Sequence, residues 1–339
     1  MANKDLVVIG ASDGGVEALR KLVHELPADL AATIMVVLHT GPSSPNVLDR
    51  VLERAGPLRA SIAEDGEAPR RGHIYVAPAD HHLLLDEAER LRLTRGPKEN
   101  RFRPAIDALF RSAAYAFGPR VVGVILSGWL DDGTAGLWAI KDRGGTAIVQ
   151  DPSEALAPAM PASARSNVAV DHCVPVAQIG AILARLSATP ATEKGARRVS
   201  KLMSTEVAIA REDNALETGI LDMSEPSLFA CPECHGVLLS LKEGSNLRFR
   251  CHTGHAYSLE TLLADFNDKN EEALWSAVRA LEETIMLLRR MADNVHAHGH
   301  EAAAEVFRDR AAAAQARAYL LRDALLQNDK VKPDMPAQA

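Results

Sequence analysis

Residues 6–15 read Leu6-Val-Val-Ile9-Gly-Ala-Ser12-Asp-Gly-Gly15, an apolar run that leads through a glycine pair into a helical pattern. Four apolar residues in succession are typical of a strand that is covered on both faces. Similar runs follow at 33–38, 73–76, 121–127 and 146–149. Helical patterns lie between them at 16–26, 46–55, 105–117 and 133–143, and 83–94 has the pattern of a hairpin. This alternation predicts an α/β fold with a doubly wound, mostly parallel sheet.

Composition narrows the class of protein. The chain has 339 residues, 47% hydrophobic and 24% charged, and a formal net charge of −7. The acidic balance argues against a nucleic-acid partner, which requires a basic surface. No apolar run approaches the ~20 residues that span a bilayer, and the N-terminus lacks the pattern of a signal peptide. We therefore expect a cytoplasmic protein without membrane insertion.

Pattern changes along the chain predict several parts. The α/β pattern occupies 1–186, and a linker with an amphipathic helix at 200–217 occupies 187–226. A compact Cys/His module follows at 227–265, where a zinc-ribbon-like fold is expected. Apolar residues at alternating spacings of four and three then predict a helical hairpin over 266–328, before a flexible tail at 329–339.

Three strand ends of the predicted sheet carry residues suited to nucleophilic catalysis. Ser12 follows the first strand, His39 ends the second, and Asp131 and Asp132 follow the strand at 121–127. Parallel strands bring their carboxyl ends to one edge of the sheet, where ligands bind in such folds. A serine nucleophile, a histidine base and an orienting carboxylate need that proximity.

The turn at Ser12 also has other interpretations. Free N–H groups at a helix start suit a phosphate, and a glycine-rich turn can be purely structural. The glycines do not match Gly-x-Gly-x-x-Gly, and no Gly-Lys-Ser/Thr follows, which disfavours a dinucleotide or nucleotide site. Ser12 and either aspartate can instead cap helices, and His39 can be a buried polar strand end.

The cysteines indicate metal binding rather than disulfides. Four cysteines are too few for a disulfide scaffold, and three of them cluster with histidines in Cys231-Pro-Glu-Cys234 and Cys251-His252-Thr-Gly254-His255. Such knuckles close a tetrahedral zinc site of the structural type. The predicted ligands are Cys231, Cys234, Cys251 and His255, preferred to His252 because Gly254 allows a tight knuckle. Chance clustering is the alternative. The fourth cysteine, Cys173, is expected to be buried.

Several stretches of the first 185 residues carry a family resemblance. They read Ile-Gly-Ala-Ser12-Asp-Gly-Gly, Val-Leu-His39, Gly72-His-Ile-Tyr-Val-Ala-Pro-Ala-Asp-His-His-Leu83, Arg103-Pro-Ala-Ile-Asp-Ala-Leu-Phe-Arg-Ser-Ala-Ala and Leu-Ser-Gly-Trp-Leu-Asp131-Asp132-Gly. Residues 5–185 resemble the catalytic domain of CheB-type chemotaxis protein-glutamate methylesterases. The resemblance implies Ser12 as nucleophile, His39 as base and Asp132 as the triad carboxylate. It also implies hydrolysis of glutamate γ-methyl esters, with deamidation of glutamine in some members, on methylated chemoreceptors or similar helical signalling proteins.

Two features depart from the family pattern. The loop before the triad aspartate usually reads Thr-Gly-Met-Gly-x-Asp-Gly, whereas here Trp129 and Leu130 follow Gly128. This change predicts a reshaped acyl pocket, and it raises the rival hypothesis of a binding or signalling module that has lost turnover. A receiver domain usually precedes the catalytic strand, so control by aspartyl phosphate is expected to be absent or supplied elsewhere. We expect the helical hairpin to bind a regulatory partner or a second copy of the chain.

Overall fold

The computed structural model describes residues 2–192, 197–212, 214–243 and 246–328. The chain divides into two compact units, Met1–Leu262 and Leu263–Ala339. The predicted tail at 329–339 and the middle of the predicted linker, 193–196, lie outside the described residues. The boundaries predicted at 186 and 226 fall within the first unit and stay predictions.

A seven-stranded parallel sheet forms the centre of the first unit. The strands of this unit are β1 (Leu6–Ala11), β2 (Thr33–Leu38), β3 (Arg59–Ile62), β4 (His73–Val76), β5 (His82–Leu85), β6 (Leu91–Thr94), β7 (Val121–Ile125), β8 (Thr146–Gln150), β9 (His172–Val174), β10 (Glu225–Ala230), β11 (Val237–Glu243), β12 (Asn246–Cys251) and β13 (Ala256–Ser258). The parallel sheet has the order β3-β4-β2-β1-β7-β8-β9, and all its pairs are parallel. The predicted α/β fold with a doubly wound sheet is confirmed.

Helices cover this sheet, and both of its faces are buried. The helices are α1 (Gly15–His24), α2 (Leu48–Ala55), α3 (Ile106–Phe117), α4 (Thr134–Asp142), α5 (Ala159–Asn167), α6 (Val176–Ser187) and α7 (Lys201–Ala210). Along β1, Val8 belongs to one buried apolar cluster, whereas Val7 and Ile9 belong to another. Because successive side chains of a strand point to opposite faces, β1 is covered on both sides, as its continuous apolar run predicts.

Two strands of the sheet, β3 and β9, are absent from the sequence prediction. Both lie at the edges of the sheet and are short and only partly buried, so they lack the apolar run that marks a central strand. The edge position also explains Cys173 in β9, which is exposed and not buried as the sequence suggested.

The predicted linker helix is shorter than expected and well packed. Helix α7 begins after Ser200, whose side chain accepts a hydrogen bond from the N–H of Met203, and it ends at Ala210 rather than at residue 217. Met203, Glu206 and Val207 are buried. This part of the predicted linker therefore belongs to the core of the first unit.

The Cys/His module folds as an antiparallel sheet in the order β10-β11-β12-β13. We call residues 225–258 the ribbon. Strands β11 and β12 form its central hairpin, with Leu238 opposite Cys251. The register brings the end of β12 close to the start of β11, so that the two predicted knuckles meet at one end of the hairpin.

The second unit is a helical hairpin. It contains most of α8 (Leu259–Ala297) and all of α9 (Glu301–Asn328). Gly299 has φ 80° in the turn between them. Ile285 packs against Ala311, Ala314 and Ala318, which confirms the helical hairpin that the spacing predicts. Its role in binding a partner or a second copy stays a prediction. Within the described residues, no helix is long and apolar enough to cross a membrane.

Candidate active site and candidate metal site

Three neighbouring strands bring the predicted catalytic residues to one edge of the sheet. Strand β1 lies between β2 and β7, with Leu6 level with both Thr33 and Val121. Ser12 follows β1, His39 follows β2, and Asp132 lies in the loop after β7. The chain leaves β1 toward β2 on one side and later returns to β7 on the other. This is the switch point at which doubly wound sheets bind ligands.

The side chains of His39 and Asp132 form a buried hydrogen bond. His39 Nε2 lies 2.7 Å from Asp132 Oδ2, and the two side chains are 3% and 2% exposed. The N–H of Ile106, the first residue of α3, also donates to Oδ2 at 2.7 Å. The side chain of Asn100 donates to Oδ1 at 2.8 Å. Burial raises the pKa of Asp132, but the hydrogen bond and charge of His39, with the bonds from Asn100 and Ile106, hold it below its usual value.

The second ring nitrogen of His39 is left available. Phe102 stacks on the imidazole, with ring centroids 3.7 Å apart and planes 5° from parallel. Because the ionised Asp132 accepts from Nε2, that nitrogen carries the proton and Nδ1 carries the lone pair. Nδ1 is buried and has no hydrogen-bond partner among the described residues. The His39 residue itself lines the cleft at this edge of the sheet.

Ser12 lies at the mouth of the same cleft. Its N–H donates to the carbonyl of Ser127 at 2.9 Å, which ties the ends of β1 and β7 together. Gly14 follows with φ 71° as the N-cap of α1, so the chain turns sharply after the serine. Gly128 allows the close approach, since a Cβ there would lie 2.8 Å from Ser12 Cβ and 2.1 Å from the sulfur of Met160.

Charged side chains of both signs line the cleft, since Asp13, Glu17 and Asp80 lie in its wall together with three cations. Its volume is about 840 Å³, and Ser12, His39, Lys98, Arg101 and Arg103 line it. Arg103 binds Asp80 Oδ1 through Nε and an Nη, at 2.9 and 2.7 Å. Lys98 is also paired, because its Nζ lies 2.7 Å from Glu233 Oε1.

In the loop that departs from the family pattern, Leu130 has a backbone conformation that glycine usually adopts. Leu130 has φ 59°, in the left-handed region that glycine occupies at no steric cost. Trp129 is 57% exposed, and its Nε1 donates to Asp13 Oδ2 at 2.9 Å. The indole therefore bridges the ends of β7 and β1, next to Ser12. Leu130 therefore carries the strain of a left-handed conformation at the position where the family pattern has glycine.

The structure separates the two adjacent aspartates. Asp132 meets His39, whereas Asp131 Oδ1 accepts a hydrogen bond from Ser258 Oγ of the ribbon at 2.7 Å. Burial, followed by the charge of Glu260, raises the pKa of Asp131 well above its usual value. Asp131, whose role the sequence left open, thus contacts the ribbon and not the histidine.

Sequence reasoning missed three residues of this site, namely Asn100, Phe102 and Asp107. Asn100 and Phe102 lie in a loop, away from the strand ends that the motifs mark. Asp107 accepts from Asn100 at Oδ2 and from the N–H of Gly136 at Oδ1. Burial and the charge of Asp132 raise the pKa of Asp107 to about 6. The signal for Asp107 was its position in the first turn of α3, where a carboxylate is favoured.

The predicted metal ligands converge at one end of the ribbon. Cys231, Cys234, Cys251 and His255 each offer an atom, and the four atoms lie within 4.8 Å of one another. The sulfurs of Cys234 and Cys251 are 3.6 Å apart, and Nδ1 of His255 lies 3.5 Å from the sulfur of Cys251 and 3.7 Å from that of Cys231.

These separations fit a tetrahedral ion. With metal–sulfur bonds of ~2.3 Å, the edges between ligand atoms of a tetrahedron measure about 3.5–3.8 Å. Three thiols and one imidazole are a donor set of the structural zinc type. Thr253 supplies a supporting hydroxyl, which donates to the sulfur of Cys234 at 3.1 Å. His252 does not belong to the group, which agrees with the preference for His255.

Comparisons with known proteins agree with the fold of the first unit. Residues 7–183 match the family described as CheB methylesterase. A putative protein-glutamate methylesterase/protein-glutamine glutaminase of Leptospira interrogans is 36% identical over 184 residues, which cover 54% of this chain and 95% of that protein. A protein-glutamate methylesterase/protein-glutamine glutaminase of Xanthomonas campestris is 39% identical, and the match spans 54% of this chain and 52% of that relative.

A solved structure shows the same likeness. The crystal structure of the Thermotoga maritima CheB methylesterase catalytic domain superposes with a TM-score of 0.52 at 33% identity. The match covers 55% of this chain and 99% of that one. The ribbon and the helical hairpin therefore lie beyond the part that these proteins share with the chain.

Proposed function

Because the chain belongs to the CheB methylesterase family, a family of carboxylic ester hydrolases, we propose that it is a serine hydrolase of the protein-glutamate methylesterase type. Ser12 is the proposed nucleophile, His39 the base and Asp132 the orienting carboxylate. One observation carries the proposal. His39 is held by an ionised carboxylate at Nε2 and has an unpartnered Nδ1 in the described structure, beside the cleft that Ser12 lines.

The proposed reaction has two stages. In the first, Ser12 Oγ attacks the carbonyl carbon of a glutamate γ-methyl ester while His39 Nδ1 takes the hydroxyl proton. Backbone N–H groups at the start of α1 stabilise the oxyanion, and Asp132 stabilises the imidazolium. The ester C–O bond breaks, and methanol leaves with the proton from His39. Water then attacks the acyl-enzyme with His39 again as base, which releases glutamate and restores Ser12. A glutamine amide would follow the same path, with ammonia as the leaving group.

The proposed substrate is a methylated chemoreceptor or a similar helical signalling protein in the cytoplasm. Val16, Trp129 and Leu156 supply exposed apolar surface on the segments next to Ser12. Such surface suits the apolar side of an amphipathic helix.

A fluorophosphonate probe tests the nucleophile without knowledge of the substrate. Wild-type protein should form one adduct, at Ser12, and Ser12→Ala should abolish it. Ser61→Ala is the matched control, because Ser61 Oγ also bonds a histidine, His73, at 2.8 Å but on the edge strands β3 and β4. Methanol release from methylated receptor should follow the same pattern. A chain that binds receptor but neither labels nor releases methanol would be the rival binding module.

We also propose that Cys231, Cys234, Cys251 and His255 bind one zinc ion in a structural role. The four donors leave no position for a substrate, so the ion would hold the two knuckles of the ribbon together. The fit of the ligand separations to a tetrahedron supports this assignment.

Metal analysis of the purified full chain tests the site. About one zinc per chain is expected, and Cys234→Ser should lower the content at least several-fold. Cys173→Ser is the control, since Cys173 is an exposed cysteine of β9 outside the ribbon. Zinc content below one ion per two chains after gentle purification, with Cys234→Ser unchanged, would contradict the assignment.

A further inference from the structure

Two of the residues that hold the His39–Asp132 pair from outside the strand ends lie in one loop. Asn100 donates to Asp132, and Phe102 stacks on His39. Two residues of this loop, Asn100 and Arg101, have φ 50° and 75°. Non-glycine residues in this region are strained and persist only where the surroundings hold them. Backbone hydrogen bonds between Glu99 and Phe102 close this turn, and contacts from outside the loop add to them.

Strand β13 of the ribbon pairs with this loop. The N–H of Asn100 donates to the carbonyl of Ala256 at 2.8 Å, and the N–H of Ala256 donates to the carbonyl of Lys98 at 3.2 Å. Outside the backbone, Lys98 Nζ binds Glu233 of the first ribbon knuckle at 2.7 Å. The ribbon thus fixes the backbone of the loop where it enters the strained residues.

The ribbon also fixes which way the Asn100 amide points. Asn100 Oδ1 accepts from the N–H of Ser258 at 3.0 Å and from Thr261 Oγ1 at 3.3 Å. Its Nδ2 therefore faces the carboxylates, and donates to Asp132 Oδ1 and Asp107 Oδ2, both at 2.8 Å. Asn100 is 1% exposed. An amide rotated by half a turn would set its oxygen against two carboxylates and its NH₂ group against the donors at Ser258 and Thr261, so both sets of contacts select the orientation.

We propose that the ribbon is a positioning element of the hydrolase: β13 and Ser258 orient Asn100, and Asn100 orients Asp132. This inference rests on the proposed function. A zinc ion that holds the ribbon would then control turnover although it contacts no substrate. Asn100 is a positioning residue, because it acts on the reaction only through Asp132.

Substitution of Asn100 by aspartate tests the first link. Aspartate keeps the shape, the tolerance of positive φ and an acceptor for Ser258, but it replaces the two amide N–H donors with a carboxyl group beside the two carboxylates, which either repels them or donates a single O–H. The expected result for Asn100→Asp is a fall in kcat of about 10- to 100-fold, the range for a group that orients a catalytic ligand, with KM within about three-fold. The downfield NMR signal of the His39 Nε2 proton should shift or broaden. Asn167→Asp is the control, since Asn167 bonds Ser163 on the exposed end of α5.

Metal removal from the full chain tests the second link. Chelation should lower the rate of Ser12 labelling by a fluorophosphonate by a similar factor, and added zinc should restore it. In Asn100→Asp the further loss on chelation should be small, because both changes break one pathway and their effects are not additive. Thr261→Val, which keeps the side-chain shape but removes the hydroxyl that donates to Asn100 Oδ1, should lower labelling several-fold with the metal in place.

The outcomes separate the two proposals. Wild-type protein that never labels at Ser12 contradicts the proposed function itself. Wild-type protein that labels, together with Asn100→Asp and Thr261→Val at the wild-type rate, overturns the positioning role alone. If chelation unfolds the parallel sheet, as judged by circular dichroism, these two variants decide the question with the metal bound.

Discussion

Two buried polar clusters adjoin at Glu99 and Asn100, which are consecutive in the sequence. Carboxylates predominate in one cluster and arginines in the other. The carboxylate cluster comprises Asp107, Asp131 and Asp132. The arginine cluster comprises Arg111, Arg248, Arg250, Glu99 and Glu206, with every side chain at most 2% exposed. Glu99 bonds Arg250 at 2.8 Å and Arg111 at 3.1 Å, whereas the next residue, Asn100, bonds two of the aspartates.

The same burial has opposite results in the two clusters. Burial raises the pKa of Glu206, but the charges of Arg250, Arg248 and Arg111 outweigh it and lower that pKa to about 2. Burial raises the pKa of Asp107 too, and there the charge of Asp132 adds to the effect and takes it to about 6. The charges of neighbouring side chains, and not the degree of burial, therefore decide which carboxylates stay ionised. The arginine cluster is suited to holding parts of the fold together, and the carboxylate cluster to chemistry near neutral pH.

The largest effect is expected within the carboxylate cluster, from two adjacent residues. Asp132→Asn should lower kcat by about 10⁴-fold, because an amide fixes the wrong tautomer of the histidine. Asp131→Asn should lower kcat by less than about ten-fold. An amide oxygen still accepts the hydrogen bond from Ser258, and the raised pKa of Asp131 already disfavours its charged form. Steady-state kinetics of both variants measure the difference. Equal losses would break the distinction between the two aspartates.

In the arginine cluster the effect should fall on stability. Glu206→Gln leaves buried guanidinium groups without their charge partner, which costs about 3–5 kcal/mol in the free energy of unfolding. Glu53→Gln, which removes an exposed ion pair with Arg59, should cost less than about 1 kcal/mol. Urea denaturation gives both values. A loss for Glu206→Gln as small as that of the exposed pair would show that the cluster does not stabilise the fold.

The clusters should respond to pH in opposite directions. The pKa of Glu206 is lowered from 4.5 to about 2, so its contribution is present above about pH 4.5 and is lost as the pH falls toward 2. The pKa of Asp107 is raised from 3.8 to about 6, so its contribution is present below about pH 4 and is lost as the pH rises toward 6. Each contribution amounts to about 3 kcal/mol in the free energy of unfolding, since a tenfold change in proton affinity corresponds to ~1.4 kcal/mol.

Difference profiles isolate these contributions. The free energy of unfolding of Asp107→Asn relative to wild type should rise between about pH 4 and 6 and be flat above about pH 7. Glu206→Gln should differ from wild type most above about pH 4.5, with the difference shrinking in acid. Urea denaturation series at fixed ionic strength provide both curves. A flat profile for Asp107→Asn would mean that this carboxyl ionises normally.

The smallest effect concerns the loop that leads to the carboxylate cluster. Leu130 has φ 59°, which costs an L-residue ~1–2 kcal/mol. Leu130→Gly should therefore be about 1 kcal/mol more stable than Leu130→Ala, which loses the same side chain but keeps the strain. Thermal denaturation of the pair measures this difference. Equal melting temperatures would contradict the strain at this position.

Sequence reasoning found the parts of the site that follow strand ends. The apolar runs of β1, β2 and β7 are local signals, and parallel pairing then places Ser12, His39 and Asp132 at one edge. The same holds for the metal ligands, whose spacing along the chain marks two knuckles. The helical hairpin followed from its periodicity, again a local property.

The missed residues depend on contacts between distant segments. Asn100 and Ser258 are 158 residues apart in sequence, and no local sequence pattern predicts that they form a hydrogen bond. The alternation of Arg248 and Arg250 on β12 places both on one face, and this polar face in a buried strand was the available signal. Its partners Glu99 and Glu206 come from two other parts of the chain, so the arginine cluster could not be assembled from spacing alone.

The pairing of β13 with the 98–100 segment also bears on how the chain can be divided. A shortened chain that ended at residue 186 would keep every strand of the parallel sheet. It would also leave Glu99 and Arg111 without Arg248, Arg250 and Glu206, and Asn100 without its donors. In this molecule the region shared with relatives therefore has buried polar partners in α7 and in the ribbon. Anyone who wishes to express the hydrolase by itself should retain the chain through Leu262.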